Sequence, residues 1–256
     1  MSKLSNLITK LCPDGVEFYP LEELFDIRNG YTPSKANPAY WTNGTVPWFR
    51  MEDIRQNGRI LSDSIQHVTP EAVKGKLFPA NSIIIATTAT IGEHALIIAD
   101  SLANQRFTFL TRKVNRVSEL DPKFVFYYCF VLGEWCKSNI NVSGFASVDM
   151  TKFRAFPFPL PPLPVQREIV RILDTFTELQ AELQAELQAR WTQYEFYRDM
   201  LLTFPERERE RERERFAGWL WGRFVISWTV SVSLLRNTTA WRERTRTMGR
   251  MAYRIM

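Results

Sequence analysis

Apolar residues recur every three or four positions along the second half of the chain: Ile169, Ile172, Phe176, Leu179, Leu183, Leu187, Trp191, Tyr194, Tyr197 and Leu201. That spacing places them on one face of an α-helix and predicts a single long helix ending near Thr203. Proline sets its start. In FPFPLPPLP, residues 156–164, each ring fixes φ and disfavours α geometry in the residue before it, so the chain stays extended until Pro164, which a first helical turn tolerates. A shorter helix is predicted near the N-terminus, where Leu4, Leu7, Ile8 and Leu11 share a face and Pro13 to Gly15 stop it.

Between these helices the pattern changes period. Residues 82–88, 94–99 and 106–110 are β-branched or apolar runs bounded by turn formers and predict strands. Residues 20–25, 69–76 and 122–137 predict helices. The mixture is an α+β pattern, expected to form one globular domain over residues 1–160. A proline-rich junction and the long helix follow over 161–205, and a tail over 206–256.

Inside the long helix, residues 178–189 are three copies of Glu-Leu-Gln-Ala. A period of four overshoots the 3.6 residues of a helical turn, so each copy adds about 6 Å of length and about 40° of rotation. The repeat reads either as a length adjuster or as a generic coiled-coil segment. Five Glu-Arg pairs then occupy residues 206–215, and residues 216–256 contain four Trp and seven Arg but no Lys and no Asp. A (GA)n tract in the gene would encode that alternation, and the composition beyond it reads as translation in a shifted frame, expected to form a disordered tail. The apolar run within it, residues 224–235, is too short to span a membrane.

Charge narrows the picture less than the net +5 suggests. Twelve of the 33 basic and six of the 28 acidic residues lie from Glu206 onward, leaving 21 and 22 before it. Any nucleic-acid footprint in the body must therefore be local, in clusters such as Arg50, Arg55 and Arg59, Lys74 and Lys76, or Arg106, Arg112, Lys113 and Arg116, all of which also suit an ordinary solvated surface. Three cysteines and two histidines lack metal-ligand spacing, so reduced thiols and no metal site are expected. No signal peptide is recognisable, and a cytoplasmic protein is expected.

Two loops rich in polar residues adjoin apolar runs. Residues 29–35 offer Tyr31, Thr32, Ser34 and Lys35, and residues 87–92 offer Thr88 and Thr90. Hydroxyls and backbone N–H groups on such loops suit phosphates or base edges, and equally suit plain turns. In residues 48–53, Arg50 has the fork that takes guanine bidentately, and a neighbouring carboxylate could orient it or accept from cytosine. The plainer alternative makes Trp48 core and Arg50 with Asp53 a surface ion pair. Asn104, Gln105 and Arg106 suit adenine or phosphate contacts, or hydrogen bonds at a strand entry. The tetrapeptide Asn37-Pro38-Ala39-Tyr40 resembles an adenine methyltransferase motif, but its second proline is missing and no glycine-rich donor loop follows a strand, so it reads as a turn. No nucleotide-binding loop or nucleophile elbow is present.

Taken in order, CPDGVEFYPLEEL, NGYTPSKANPAYWTNGTVPWFRMEDI, FPANSIIIATTATIGEHALI, ANQRF and PLPPLPVQREIVRILDTF resemble the specificity subunits of type I restriction-modification enzymes over roughly the first 205 residues. The resemblance implies a non-catalytic subunit that recognises double-stranded DNA. Tyr31, Thr32, Ser34, Lys35, Trp48, Arg50, Thr88, Thr90, Asn104, Gln105 and Arg106 would be the DNA-binding candidates. Ile169, Ile172, Phe176, Leu179, Leu183, Leu187 and Trp191 would bind partners. Those partners would be methyltransferase subunits and, through the complex, restriction subunits; S-adenosylmethionine, ATP and Mg would be bound there and not on this chain. Full-length members pair two recognition domains and two spacer helices antiparallel. One of each implies a half-subunit completed by a second half or by self-dimerisation. The alternative is a helical interaction scaffold that binds protein only.

Overall fold

The computed structural model describes residues 2–141 and 146–203. The chain divides after Glu182. The tail over 206–256 lies outside the described residues.

Helix α1 (Lys3–Leu11) starts where Ser2 Oγ accepts from the Ser5 N–H at 3.1 Å and ends at Cys12, ahead of Pro13. Strand β1 (Phe18–Pro20) leads into α2 (Leu21–Leu24) and β2 (Phe25–Asn29). Next come β3 (Val46–Phe49), α3 (Met51–Asn57), β4 (Ile60–Leu61) and β5 (His67–Val68). The centre of the chain supplies β6 (Ser82–Ala86), β7 (His94–Ile97), β8 (Leu102–Ala103) and β9 (Phe107–Arg112). Helix α4 (Pro122–Ser138), β10 (Ile140–Asn141), β11 (Ser147–Val148), α5 (Met150–Arg154), β12 (Pro157–Pro159) and α6 (Leu163–Leu202) complete it. The order in the main sheet is β2-β9-β6-β7-β4, and a smaller sheet runs β5-β3-β8.

Strand β6 explains how two cores form around one sheet. Its side chains alternate: Ile83 and Ile85 face a core with α2 and α4, while Ile84 and Ala86 face a second with Trp48, Phe49, Phe107 and Phe109. Covered on both faces, the strand reads in sequence as an unbroken apolar run rather than an alternating one. The proline-rich junction contributes structure of its own, since β12 pairs antiparallel with β1 through Tyr19 and Phe158. Proline is tolerated in this two-stranded ribbon because each strand has an unpaired edge.

The expected helix over 69–76 is not formed. Only a single 3-10 turn, Pro70–Ala72, appears; Val73 is extended and Gly75 takes φ +83°, so the chain turns away before a second helical turn can close. The tetrapeptide at Asn37 is a turn, with Asn37 Oδ1 accepting from the Ala39 N–H at 3.2 Å.

Helix α6 is anchored by its first turns. Gln166, fully buried, donates through Nε2 to the carbonyls of Glu119 and Pro161, each at 2.7 Å, and accepts from the Asp121 N–H at 2.9 Å. Glu168 takes Arg171 and Lys3, both at 2.7 Å, and these hydrogen bonds hold its carboxyl down at about 2. Asp174 accepts from Lys123 and from the Tyr127 hydroxyl, each at 2.7 Å. Every residue from Thr175 to Glu182 is exposed.

His94 gives this fold an acid sensitivity. It is 1% exposed between Phe126 and Phe130, its Nε2 has no hydrogen-bond partner among the described residues, and burial pushes the ring down to about 4. The folded chain holds the neutral ring while the unfolded chain takes up a proton below about pH 6.5. The stabilisation is therefore complete above that pH and is lost as the pH falls towards 4. Urea melts are expected to lose about 3 kcal/mol over that window through His94, and His94→Gln should lack this component. Parallel pH profiles for the two proteins would refute it.

Candidate nucleic-acid interface

Strand register brings four chain segments to one end of the domain. Asn29, the last residue of β2, pairs with Thr108; Ala86, the last of β6, pairs with Phe107; Phe49, the last of β3, pairs with Ala103, the last of β8. The segments that follow β2, β3, β6 and β8 therefore leave from the same place. Backbone hydrogen bonds stitch them together: the Gly30 N–H to Phe107 O at 2.9 Å, Tyr31 to Ala103 at 2.8 Å, Asn104 to Phe49 at 3.0 Å and Thr87 to Arg106 at 3.0 Å. A Cβ at Gly30 would lie 2.3 Å from Ala103 O, so only glycine permits this approach.

Side chains complete the link between the two expected loops. Thr108 Oγ1, fully buried, joins Thr87 Oγ1 and Asn29 Oδ1, both at 2.9 Å. Thr32 Oγ1 donates to Gln105 Oε1. Asn104 Oδ1 accepts from the Arg106 N–H at 3.0 Å, the strand-entry role. Gln105, Arg106, Ser34 and Lys35 are exposed, while Tyr31, Thr32, Arg50, Thr88 and Thr90 are half-buried. The Arg106 guanidinium has no hydrogen-bond or ion-pair partner among the described residues.

Two expectations at this end need correction. Trp48 is 4% exposed, its Nε1 donating to Tyr31 O at 3.0 Å and its ring meeting Trp41 edge-on at 4.9 Å. It supports residues 29–35 from beneath and offers no face to a ligand, because the apolar indole is more stable in the core. Asp53 neither pairs with Arg50 at the surface nor faces a base. It is fully buried, with its oxygens accepting from the N–H groups of Arg50 and Ile65, each at 2.6 Å. That ties α3 to the loop beyond it and leaves the Arg50 guanidinium 5.7 Å from the Trp48 ring centroid and 4.0 Å from Glu52.

The basic clusters fare unequally. Arg106 sits at the loop end, whereas Arg112 lies at the far end of β9 and donates to Leu120 O at 2.7 Å. Arg116 pairs with Glu119 at 2.7 Å and stacks on Tyr19. Arg106 is therefore separated from Arg112, Lys113 and Arg116, which stay together at the far end, where the Arg116 N–H donates to Lys113 O at 2.8 Å. Conversely, Asn29 and Lys137 were not among the candidates. Asn29 had a legible signal, as a polar side chain closing a strand; Lys137 had none, since it reaches this end only through the packing of α4 against β7.

The partner-binding stripe is divided. Ile169 packs against the core beside α4, and Ile172 is half-buried. Phe176 is 45% exposed, Leu179 50%, Leu183 67%, Leu187 51% and Trp191 55%. Ile169 thus packs partly buried against the core, and the open stripe begins at Phe176. None of the described helices is long and apolar enough to cross a membrane.

Comparison with known proteins agrees with this architecture. A family model described as the type I restriction modification DNA specificity domain matches residues 13–190. The type I restriction enzyme EcoprrI specificity subunit of Escherichia coli is 54% identical over 220 residues, 81% of this chain and 55% of that protein. The EcoR124I/EcoR124II specificity subunit of the same organism is 34% identical over 207 residues, 75% and 50% respectively. The chain spans about half the length of the curated relatives it matches. Among solved structures, a chain from a type I R-M system superposes with a TM-score of 0.55 at 21% identity, covering 72% of this chain and 44% of that one. The HsdS subunit from Thermoanaerobacter tengcongensis gives 0.52 at 18% identity, with the same coverage. The match across residues 13–190 and the 54% identity to a curated specificity subunit show that this chain belongs to the type I restriction-modification DNA specificity family.

Proposed function

We propose that residues 1–160 read one half of a bipartite target in double-stranded DNA and that α6 assembles this reader with its partners. The observation that supports the reading is the convergence of the segments after β2, β3, β6 and β8. It exposes Gln105, Arg106, Ser34 and Lys35 beside Thr32, Arg50, Thr88 and Thr90 on a rigid, hydrogen-bonded base. Exposed amides and guanidinium groups read base edges, while lysine and hydroxyl groups hold phosphates and set register. Methylation and cleavage would be supplied by methyltransferase subunits binding S-adenosylmethionine and restriction subunits using ATP and Mg. A second recognition unit, from another copy or a separate chain, would read the other half-site. A protein-only scaffold is disfavoured, because it would give no use to the unpaired Arg106 or to the buried network that positions it.

Transplanting residues 1–160 into a related specificity subunit is expected to replace one half of that system's methylated sequence with a new one. Sequencing of modified bases in the host genome reads the result. A methylation pattern that stays the recipient's would overturn the assignment.

A further inference from the structure

Arg55 lies in the last turn of α3, Arg59 follows the Gly58 that ends that helix at φ +81°, and Lys137 comes from the last turn of α4. With residues 89–91 and Glu93 they surround a cleft of about 640 Å³ whose apolar lining includes Met51, Ile54 and Ile140. The cations differ in freedom. Arg59 is held by Glu93 at 2.5 Å and by His94 O at 3.0 Å, with its guanidinium 5.4 Å from the Phe130 ring centroid. Lys137 shares an exposed pair with Glu134 at 2.6 Å. Arg55 is exposed and has no partner among the described residues.

The same two segments build this cleft and the loop cluster. Met51 follows Arg50 directly, and Thr90 is two residues from Thr88. Ala89 between them is held at φ +61°, a conformation an alanine keeps only when its surroundings impose it. Those surroundings are a backbone bridge from Thr88 to Ser147 and the contact of Gly92 with Gly133, where an added Cβ would lie 2.5 Å from the Gly133 carbonyl oxygen. The wall shared by cleft and cluster is therefore rigid.

We propose that this cleft seats the sugar–phosphate backbone of the DNA whose bases the adjoining loops read. The inference rests on the recognition reading above and adds a division of labour to it. Of the three cations Arg59 is matched by Glu93 and Lys137 by the exposed Glu134, so the excess positive charge is that of Arg55, and it favours an anion. The volume exceeds one phosphate, and an apolar floor suits the face of a deoxyribose. The exposed rim at Arg55, Ala89, Lys137 and Ile140 admits a continuous chain. Contacts of this kind fix register without reading sequence.

The test is a double variant, Arg55→Ala with Lys137→Ala, in the full chain assembled with its methyltransferase subunits. Binding is measured across a salt series to a duplex carrying the mapped target and to a scrambled duplex. Affinity for both is expected to fall by the same factor, and the slope of log K against log salt to flatten by about 1.8, or about 0.9 per lost phosphate contact. The methylated sequence should not change, and Arg55→Lys with Lys137→Arg should restore the slope. Unchanged affinity and slope, with target discrimination intact, would overturn the cleft proposal alone. A changed methylated sequence would also overturn it, by making the cleft a base reader. Failure of the unsubstituted complex to prefer any sequence would remove the recognition reading and this proposal with it.

Discussion

Removing residues 186–189 is expected to shorten the non-specific gap of the methylated target by one or two base pairs and to leave both half-site sequences unchanged. These residues are one Glu-Leu-Gln-Ala copy within α6, which is continuous from Leu163 to Leu202. Deleting four residues from an unbroken helix removes about 6 Å of rise and about 40° of rotation. Against about 3.4 Å per base pair along a strand, that is one or two positions. The deletion removes no packed core, since Leu187 is 51% exposed. On the proposed assembly, two recognition units held apart by the spacer must meet their grooves in phase, so a shorter spacer selects a shorter gap. Methylated-base sequencing reads the gap directly. An unaltered gap in a stable, active deletion variant would reduce the repeat to coiled-coil filler.

Changing Leu183 and Leu187 together to Asp is expected to weaken assembly by about a hundredfold or more, because each carboxylate would be buried without a partner. Phe176, Leu179, Leu183, Leu187 and Trp191 all stand open, and an apolar row of that length marks an interaction surface. The recognition domain should keep its melting temperature, because its core holds neither leucine. Ile169→Asp supplies the contrast: that side chain packs against the core, so its replacement should lower the melting temperature instead. Size-exclusion chromatography with light scattering separates the outcomes. An undiminished complex of the leucine double variant would exclude the open stripe as the assembly surface.

Much of the fold was legible because its determinants are local. Proline rings over 157–162 hold the junction extended, and α6 begins at Leu163, one residue before the Pro164 at which the extended segment was expected to end. Helix α4 and strands β6, β7 and β9 fall within two residues of their expected bounds, because long periodic or β-branched runs bounded by turn formers have few alternatives. The helix expected over 69–76 failed where composition was permissive but Gly75 and the extended Val73 turned the chain.

The candidate site was legible as residue types and not as a place. Polar loops were visible at 29–35 and 87–92, yet nothing nearby in sequence says that Thr32 meets Gln105 73 positions away or that Asn29 meets Thr108 across 79. Trp48 and Arg50 are near neighbours that part company, one into the core and one to the edge, because β3 ends at Phe49 and Arg50 is the N-cap at which the chain turns into α3.

The sequence by itself determined α1, α4, the strands β6, β7 and β9, the long helix with its repeat, and the family, since proline geometry, helical period and side-chain branching act over a few residues. Tertiary structure alone decided which loops share an end and that Asp53 caps backbone instead of pairing with Arg50. It also separated Arg106 from Arg112 by the length of β9 and divided the apolar stripe at Phe176. Those outcomes depend on strand register and on which surface excludes water, and both are set by residues far apart in the chain.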